Sequence, residues 1–177
     1  RVNILYLKGK NTEALERALE LIDEYATYTH SYRLGRAHQL AGKIALNSNE
    51  TDAAISHKQK AVEVFSKYGD TKELVKALTN LGVIYKKSGL YTQSLESLLS
   101  ALMMAEEEQD IVEQARILNN IGNIYKAQGE LEAALKAHQR ALEFRLNLPN
   151  KNQLADSHNN IGLVYRKLQQ FDAAYEH

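Results

Sequence analysis

Apolar side chains recur along this chain at intervals of three and four residues, the spacing that places them on one face of an α-helix. Leu74, Leu78 and Leu81 form one such stripe. Gly89 follows this stripe, and a residue that tolerates positive φ commonly ends a helix. A second apolar stripe then begins at Tyr91. The pattern therefore predicts two successive helices joined by a short turn.

The same pattern returns every 40 residues. In a capping box, the first side chain accepts a hydrogen bond from a free N–H of the first turn, while a Glu or Gln three residues later reaches back. Three pairs with this spacing recur at the same period: Asp70 with Glu73, Asp110 with Glu113, and Asn150 with Gln153. A fixed period of this length indicates copies of one structural unit. The predicted repeats are residues 1–29 (partial), 30–69, 70–109, 110–149 and 150–177 (partial).

The first helix of each predicted pair contains a glycine at one phase of the repeat. A glycine inside a helix costs about 1 kcal/mol relative to alanine, so its recurrence indicates that a Cβ would be in the way. We expect the second helix to approach closely there, because small residues recur in phase along it. The glycines are Gly42, Gly82, Gly122 and Gly162, and the small residues are Ala54, Ser94, Ala134 and Ala174.

One antiparallel helix pair cannot cover its own apolar stripe, so each pair must stack on its neighbours. We therefore predict an all-α fold in which residues 1–177 form a single array. The chain begins at Arg1 rather than Met and stops at His177 inside a repeat. We interpret it as a piece of a longer protein.

Composition narrows the function classes. The 22 Lys and Arg residues balance 22 Asp and Glu residues, which argues against a nucleic-acid surface on this segment, since such surfaces carry an excess of basic charge. No apolar run approaches the roughly 20 residues of a membrane span. The chain contains no Cys, which removes thiol catalysis, disulfides and cysteine metal sites.

The remaining candidates for chemistry are weak. His38 and His158 share the phase at which Leu78 and Leu118 stand, so we expect them to fill packing positions. No two His residues have metal-ligand spacing on one helix face, and no phosphate-binding loop is present. We expect no catalytic residues, no metal site and no cofactor in this segment.

The repeated residues resemble the tetratricopeptide repeat. The matching positions are Leu78, Leu81-Gly82, Tyr85, Ser94, Leu98 and Ala101; then Leu118, Ile121-Gly122, Tyr125, Ala134 and Ala141; then His158, Ile161-Gly162, Tyr165 and Ala174; and, in the most divergent copy, Ala41-Gly42, Ala54 and Ala61. Two departures stand out: the usual Pro at the end of each second helix is absent, and the period is 40 instead of 34. This long variety is similar to repeats of bacterial signalling proteins, kinesin light chains and peptide-pheromone receptors.

The resemblance implies a right-handed α-solenoid of about four and a half repeats, with the first helix of each pair lining a concave surface. Polar residues recur in phase on those helices. Asn offers both a donor and an acceptor, so a ladder of Asn can pair with an extended peptide backbone. Flanking cations would favour acidic side chains or a terminal carboxylate. The predicted peptide-binding residues are Lys76, Asn80, Lys86, Arg116, Asn119, Asn120, Asn123, Lys126, Asn159, Asn160 and Arg166.

A structural alternative is that these Asn side chains bond to neighbouring helices and order the stack, while the Lys and Arg side chains are merely solvated. The first hypothesis is a non-catalytic scaffold that binds a peptide or protein segment. The second is an input region of a bacterial diguanylate cyclase, histidine kinase or regulator, whose output domain lies outside this chain.

A third hypothesis is a self-assembly module that forms a homodimer through its end repeats. The interruption after His177 is expected to leave the apolar face of Ile161 and Tyr165 poorly covered. The sequence favours the cytoplasm without deciding the compartment, and a membrane-anchored parent sensor would place the segment in the periplasm.

Overall fold

A computed structural model describes residues 2–26, 32–68, 70–146, 148–149 and 151–177. These residues form α-helices and connecting turns, and no strand occurs in the described ranges. The helices are α1 (Val2–Leu7), α2 (Asn11–Ala26), α3 (Tyr32–Asn47), α4 (Thr51–Tyr68), α5 (Thr71–Lys87), α6 (Tyr91–Glu107), α7 (Ile111–Gln128), α8 (Leu131–Leu146), α9 (Lys151–Lys167) and α10 (Phe171–Tyr175). The predicted all-α fold of packed helix pairs is confirmed.

The helices belong to two compact units. Unit 1 is Arg1–Gly89 and contains α1 to α5, and unit 2 is Leu90–His177 and contains α6 to α10. The division falls inside the predicted repeat 70–109, between its two helices. Within each unit, helices that follow one another in the chain pack together.

Residues with positive φ form the turn between the two helices of each pair. Gly9, Gly89 and Gly129 have φ values of +73°, +75° and +84°, which a glycine adopts without steric cost. Asn49 and Gln169 occupy the same phase with φ values of 61° each. The turn at Asn49 therefore needs a left-handed residue as much as the glycine-containing turns do.

Half of each predicted capping box is present. Asp70 accepts a hydrogen bond from the backbone N–H of Glu73 at 3.0 Å, and Asp110 accepts one from Glu113 at 3.1 Å. The Glu side chains do not return the bond, which corrects the prediction. Each Glu instead pairs with a cation one turn further along its helix. Asn150 lies outside the described residues, as does the predicted repeat start at His30.

The core of unit 1 lies between successive helices. Val2, Ala14, Ala18, Ala41 and Ile44 form one buried cluster across α1, α2 and α3. Two further clusters join α4 to its neighbours. They consist of Ala45, Ala54 and Ile84, and of Ala61, Phe65 and Ala77.

In unit 2, a polar contact replaces an apolar one at the same phase. Phe65 in unit 1 packs with Ala77, whereas Arg145 and Ser157 stand 80 residues later. The Arg145 guanidinium is buried and its Nη1 donates to Ser157 Oγ at 2.7 Å and to the backbone oxygen of Gln153 at 3.0 Å. A hydrogen bond thus joins α8 to α9 where an aromatic ring joins α4 to α5.

The repeated Tyr joins adjacent pairs through its hydroxyl. Gln59 on α4 donates to the Tyr85 hydroxyl of α5 at 2.8 Å, and Gln139 on α8 donates to the Tyr165 hydroxyl of α9 at 3.4 Å. The two contacts are 80 residues apart. The Tyr position therefore contributes a polar link as well as a buried ring body.

The close approach predicted at the in-helix glycines is present where it can be measured. A Cβ on Gly42 would lie 3.1 Å from the backbone oxygen of Ala54, and one on Gly162 would lie 3.3 Å from that of Ala174. At Gly122 the neighbour is different, because a Cβ there would lie 2.7 Å from the His138 ring. The nearest contact at Gly122 is therefore a buried imidazole.

The expected poor cover of Ile161 is wrong. Its side chain is fully buried and Tyr165 is half-buried, and both α8 and α10 pack on α9. Phe171 and Tyr175 of α10 are the apolar residues that face solvent, at 64% and 94% exposure.

The difference between Gly122 and Gly162 makes a test of the close packing. Gly122→Ala is expected to lower the free energy of unfolding by roughly 1–3 kcal/mol, because the new methyl group overlaps a buried ring. Gly162→Ala is the matched control, since its Cβ needs a shift of only a few tenths of an ångström. Urea denaturation of both variants gives the comparison. An equal or larger loss for Gly162→Ala would contradict the packing argument.

Candidate functional site

The predicted binding residues lie on α5, α7 and α9, and they differ in exposure. Lys76, Asn159 and Arg166 are exposed. The other eight are half-buried, namely Asn80, Lys86, Arg116, Asn119, Asn120, Asn123, Lys126 and Asn160. The helices thus present these side chains at their surfaces, and most keep part of their area against a neighbour.

Three of these residues bond to one another across unit 2. Asn160 Nδ2 on α9 donates to Asn119 Oδ1 on α7 at 3.0 Å. Lys126 Nζ, also on α7, donates to Asn160 Oδ1 at 3.4 Å. These contacts are of the kind that the structural alternative requires, because they tie two first helices together.

Three other amides are not used in this way. The side chains of Asn80, Asn120 and Asn123 have no hydrogen-bond partner among the residues that the structure describes. Each offers one acceptor and two donors. Asn120 and Asn123 lie one turn apart on α7, so they share one side of that helix.

Two of the predicted cations are paired with carboxylates on their own helices. Lys76 Nζ lies 3.3 Å from Glu73 Oε1. Arg116 Nε donates to Glu113 Oε2 at 2.8 Å, and its Nη2 contacts the same oxygen. Each pair is locally neutral. Lys76 and Arg116 therefore attract an acidic ligand less strongly than unpaired cations would.

Unit 1 also contains a cavity of about 490 Å³. It lies between α1, α2 and α3, with single residues from α4 and α5, and Asn80 is the predicted binding residue that lines it. Arg36 and Lys43 of α3 line it too; the sequence places them in phase with Lys76 and Asn123. Arg33 on α3 and Lys58 on α4 were missed. For Lys58, a long side chain on a second helix gives no sequence signal that it reaches the first helix.

The His residues form two contacts that the sequence reading missed. His38 is buried as expected, and its Nδ1 lies 3.1 Å from His57 Nδ1. His158 is half-buried, with its Nδ1 3.0 Å from His177 Nδ1. Both pairs are 19 residues apart in the chain, and that shared spacing was the available signal. In each pair, one ring must donate and the other accept.

His138 is the most isolated of the described His residues. It is fully buried against Gly122, and neither ring nitrogen has a hydrogen-bond partner in the described structure. Burial lowers the pKa of His138 to about 4, and the positive charges of Lys126 and Arg145 act in the same direction. Burial also lowers the pKa of His38 to about 4, with smaller contributions from His57 and Lys60. Both imidazoles are therefore neutral at pH 7.

Metal-binding geometry is absent from the part of the chain that the structure describes: no three His, Cys, Asp or Glu side chains come together there as a metal cluster would require. None of the described helices has the length and apolarity to span a membrane.

The fold and the polar helix faces define a helical-repeat protein of the interaction type. Two models of the tetratricopeptide repeat match the sequence, over residues 113–177 and 75–108, and together they span more than half of it. The chain belongs to the tetratricopeptide repeat family. Proteins of this family are typically scaffolds for protein interactions. No curated protein sequence matches the chain significantly.

Solved structures of low sequence identity share the fold. BtubC (BKLC) from P. vanneervenii has a TM-score of 0.89 at 19% identity, with 99% of this chain and 73% of that one covered. The apo form of RapI has a TM-score of 0.88 at 16% identity, with 97% and 48% covered. A Rap protein complexed with competence and sporulation factor has a TM-score of 0.80 at 14% identity, with 99% and 49% covered. The chain thus spans about half the length of these two Rap proteins.

The buried imidazole of His138 predicts a loss of stability in acid. Its folded-state pKa lies below the ordinary value of 6.5, so its contribution is complete above pH 6.5 and is lost as the pH falls towards 4. At about 1.4 kcal/mol per pKa unit, the loss between pH 7 and pH 4 is roughly 2–3 kcal/mol.

The control variant is His138→Leu, because Leu98 fills the same phase one repeat earlier. Urea unfolding at both pH values is expected to show a smaller acid loss for His138→Leu than for the parent protein. Equal losses would mean that His138 titrates normally in the folded state.

Proposed function

We propose that this protein is a non-catalytic scaffold that binds an extended, acidic peptide segment on the polar faces of its first helices. The observation that carries the proposal is the pair of half-buried amides of Asn120 and Asn123 in unit 2, which have no partner in the described chain. A peptide backbone alternates donors and acceptors, and an amide side chain can pair with either.

The amides used inside unit 2 refine this proposal. Asn119, Asn160 and Lys126 bond to one another, so they hold α7 and α9 in register. Asn120 and Asn123 are left as the direct peptide contacts. The structural role thus applies to Asn119 and Asn160, and the peptide-binding role applies to Asn120 and Asn123.

The cations on the first helices support the proposal of an acidic partner. Lys86, Lys126 and Arg166 recur at one phase of the repeat beyond the amides. Lys76 and Arg116 on the other side are paired with Glu73 and Glu113, so they serve as secondary contacts. The complex of a similarly folded Rap protein with competence and sporulation factor supports the use of this fold for ligand binding. As the input region of a signalling protein, the same face would receive the regulating segment.

The amides of α7 provide the test. A labelled set of extended peptides, matched in length and either acidic, neutral or basic, is titrated against the protein by fluorescence anisotropy. The acidic set is expected to bind most tightly, and its binding should weaken as salt rises. Asn120→Ala with Asn123→Ala is expected to weaken it roughly 10- to 30-fold, since two hydrogen bonds of about 1 kcal/mol each are lost.

The melting temperature of this double variant should stay unchanged, because neither amide bonds within the described protein. Asn152→Ala, an exposed position at the start of α9, is the matched control and should bind like the parent. Unaltered peptide binding by the double variant, or no binding of any peptide in the set, would exclude this face as the binding site.

A second candidate is self-association through α10. It is favoured by the exposure of Phe171 and Tyr175 on this short helix, at 64% and 94%. Light scattering over a range of concentrations is expected to show dimers that Phe171→Ser with Tyr175→Ser abolishes, because burial of both rings drives the association. A strict monomer at high concentration would exclude this role.

A further inference from the structure

We propose that the cavity of unit 1 is a binding site for a multiply charged anion such as a phosphoryl group, with the ammonium of Lys58 as its innermost contact. The residues that line this cavity all belong to unit 1, whereas Asn120 and Asn123 belong to unit 2, so the proposal does not depend on peptide binding by unit 2.

The charges around the cavity are all of one sign. Arg33, Arg36, Lys43 and Lys58 line it, and no carboxylate does. None of the four cations forms an ion pair within the described residues. A single carboxylate ligand would balance only one of these charges, whereas a phosphoryl group carries up to two and can accept several hydrogen bonds at once.

Aromatic rings position three of the cations without neutralising them. The guanidinium of Arg33 lies 6.0 Å from the centre of the Tyr25 ring, and that of Arg36 lies 5.6 Å from the Tyr32 ring. Lys43 Nζ lies 4.8 Å from the centre of the Tyr6 ring. Arg36 Nη1 also donates to the Tyr32 hydroxyl at 3.1 Å. Cation–π contact restricts each side chain, and the remaining N–H donors of the three cations stay available to a ligand.

Lys58 is an unusual residue for its position. Leu98 and His138 stand at the same phase in the next two repeats. Lys58 is buried to 6% exposure beside Gly42, where a Cβ would lie 3.1 Å from its Cγ. Its ammonium reaches across to donate to the backbone oxygen of Gln39 at 2.7 Å. Leu98 and the neutral imidazole of His138 show that an uncharged side chain can fill this position, so a buried ammonium points to a different purpose.

The hydrogen-bond donors of Lys58 and Gln39 in the cavity outnumber the acceptors that they contact. An ammonium has three N–H donors, and the Gln39 oxygen accepts one of them. The Gln39 side chain lines the same cavity, and its buried Nε2 has no hydrogen-bond partner in the described structure. Unpaired buried donors are costly, and an anion with several acceptor oxygens would satisfy both groups.

The titration of Lys58 predicts that anion binding at this site depends on pH. Burial, followed by the nearby charge of Lys43, lowers its pKa to about 8. The other charged or titratable groups of the cavity are Arg33 and Arg36 on α3 and Tyr25 on α2, while α1 and α5 contribute the amides of Asn3 and Asn80. A bound anion stabilises the protonated ammonium, so affinity should fall as the pH rises through 8.

Calorimetric titration with inorganic phosphate, pyrophosphate and acetate tests the charge requirement. Phosphate and pyrophosphate are expected to bind at least about tenfold more tightly than acetate, because four cations face the ligand. A short peptide carrying one phosphoserine, compared with its unphosphorylated form, shows whether the group belongs to a protein or to a small molecule. Acetate binding as tightly as pyrophosphate would overturn the proposal.

Lys58→Leu tests the central residue, with Leu98 as the precedent for an apolar side chain at this phase. It is expected to weaken pyrophosphate binding about tenfold or more. His138→Leu, at the same phase in unit 2, is the matched control and should bind like the parent protein. Unchanged affinity in Lys58→Leu, or an equal loss in His138→Leu, would overturn the assignment.

Two further measurements cover the case in which Lys58→Leu does not fold. Arg33→Gln with Arg36→Gln changes only exposed side chains of α3 and should weaken pyrophosphate binding at an unchanged melting temperature. Sulfate keeps its charge between pH 7 and pH 9, so weaker sulfate binding by the parent protein at pH 9 would report on Lys58. Pyrophosphate binding that is unchanged in this double variant, together with sulfate binding that is equal at pH 7 and pH 9, would exclude the site.

Discussion

The structure depends on one constraint, the close contact of two helices at a glycine inside the first helix of a pair, which is measured at Gly42, Gly122 and Gly162. At Gly42 and Gly162, the backbone oxygen of the second helix stands where a Cβ would crowd it. An in-helix glycine costs about 1 kcal/mol relative to alanine. It is retained because close contact lets the apolar stripes of both helices face the same core. The clusters that bury Ile44, Ala54 and Phe65 follow from this spacing.

The second-helix side chain at the position facing this glycine differs from repeat to repeat. The second-helix residue that faces this glycine is Lys58 in one repeat and His138 in another, while Leu98 holds the same phase between them. The position in the repeat is the same in all three, but the chemistry is not. Burial lowers the pKa of both ionisable residues, since a low-dielectric surrounding disfavours the charged form. A repeat protein can thus acquire distinct local properties at one position of a common scaffold.

Membership of the tetratricopeptide repeat family indicates an interaction scaffold. Which side chains are free for a partner is a finer matter, decided by contacts within the fold. Asn119 and Asn160 bond to each other, whereas Asn120 and Asn123 on the same helix face remain without a partner in the described structure. The unused polar groups, and not the whole row of Asn, are where partner recognition is best sought.

The sequence by itself determined the repeat, its period, the helix starts at Asp70 and Asp110, and the turn glycines, because these depend on local spacing and backbone conformation. It also identified the in-helix glycines as points of close approach. It did not reveal that the Glu73 and Glu113 side chains pair with cations and leave the backbone N–H groups of Asp70 and Asp110 unbonded by them, or that Ile161 is fully buried. Nor did it reveal the pairing of His38 with His57, or the reach of Lys58 from α4 to Gln39 on α3. These contacts were decided by the tertiary structure, because the direction of a long side chain between two packed helices depends on the distance and rotation of those helices.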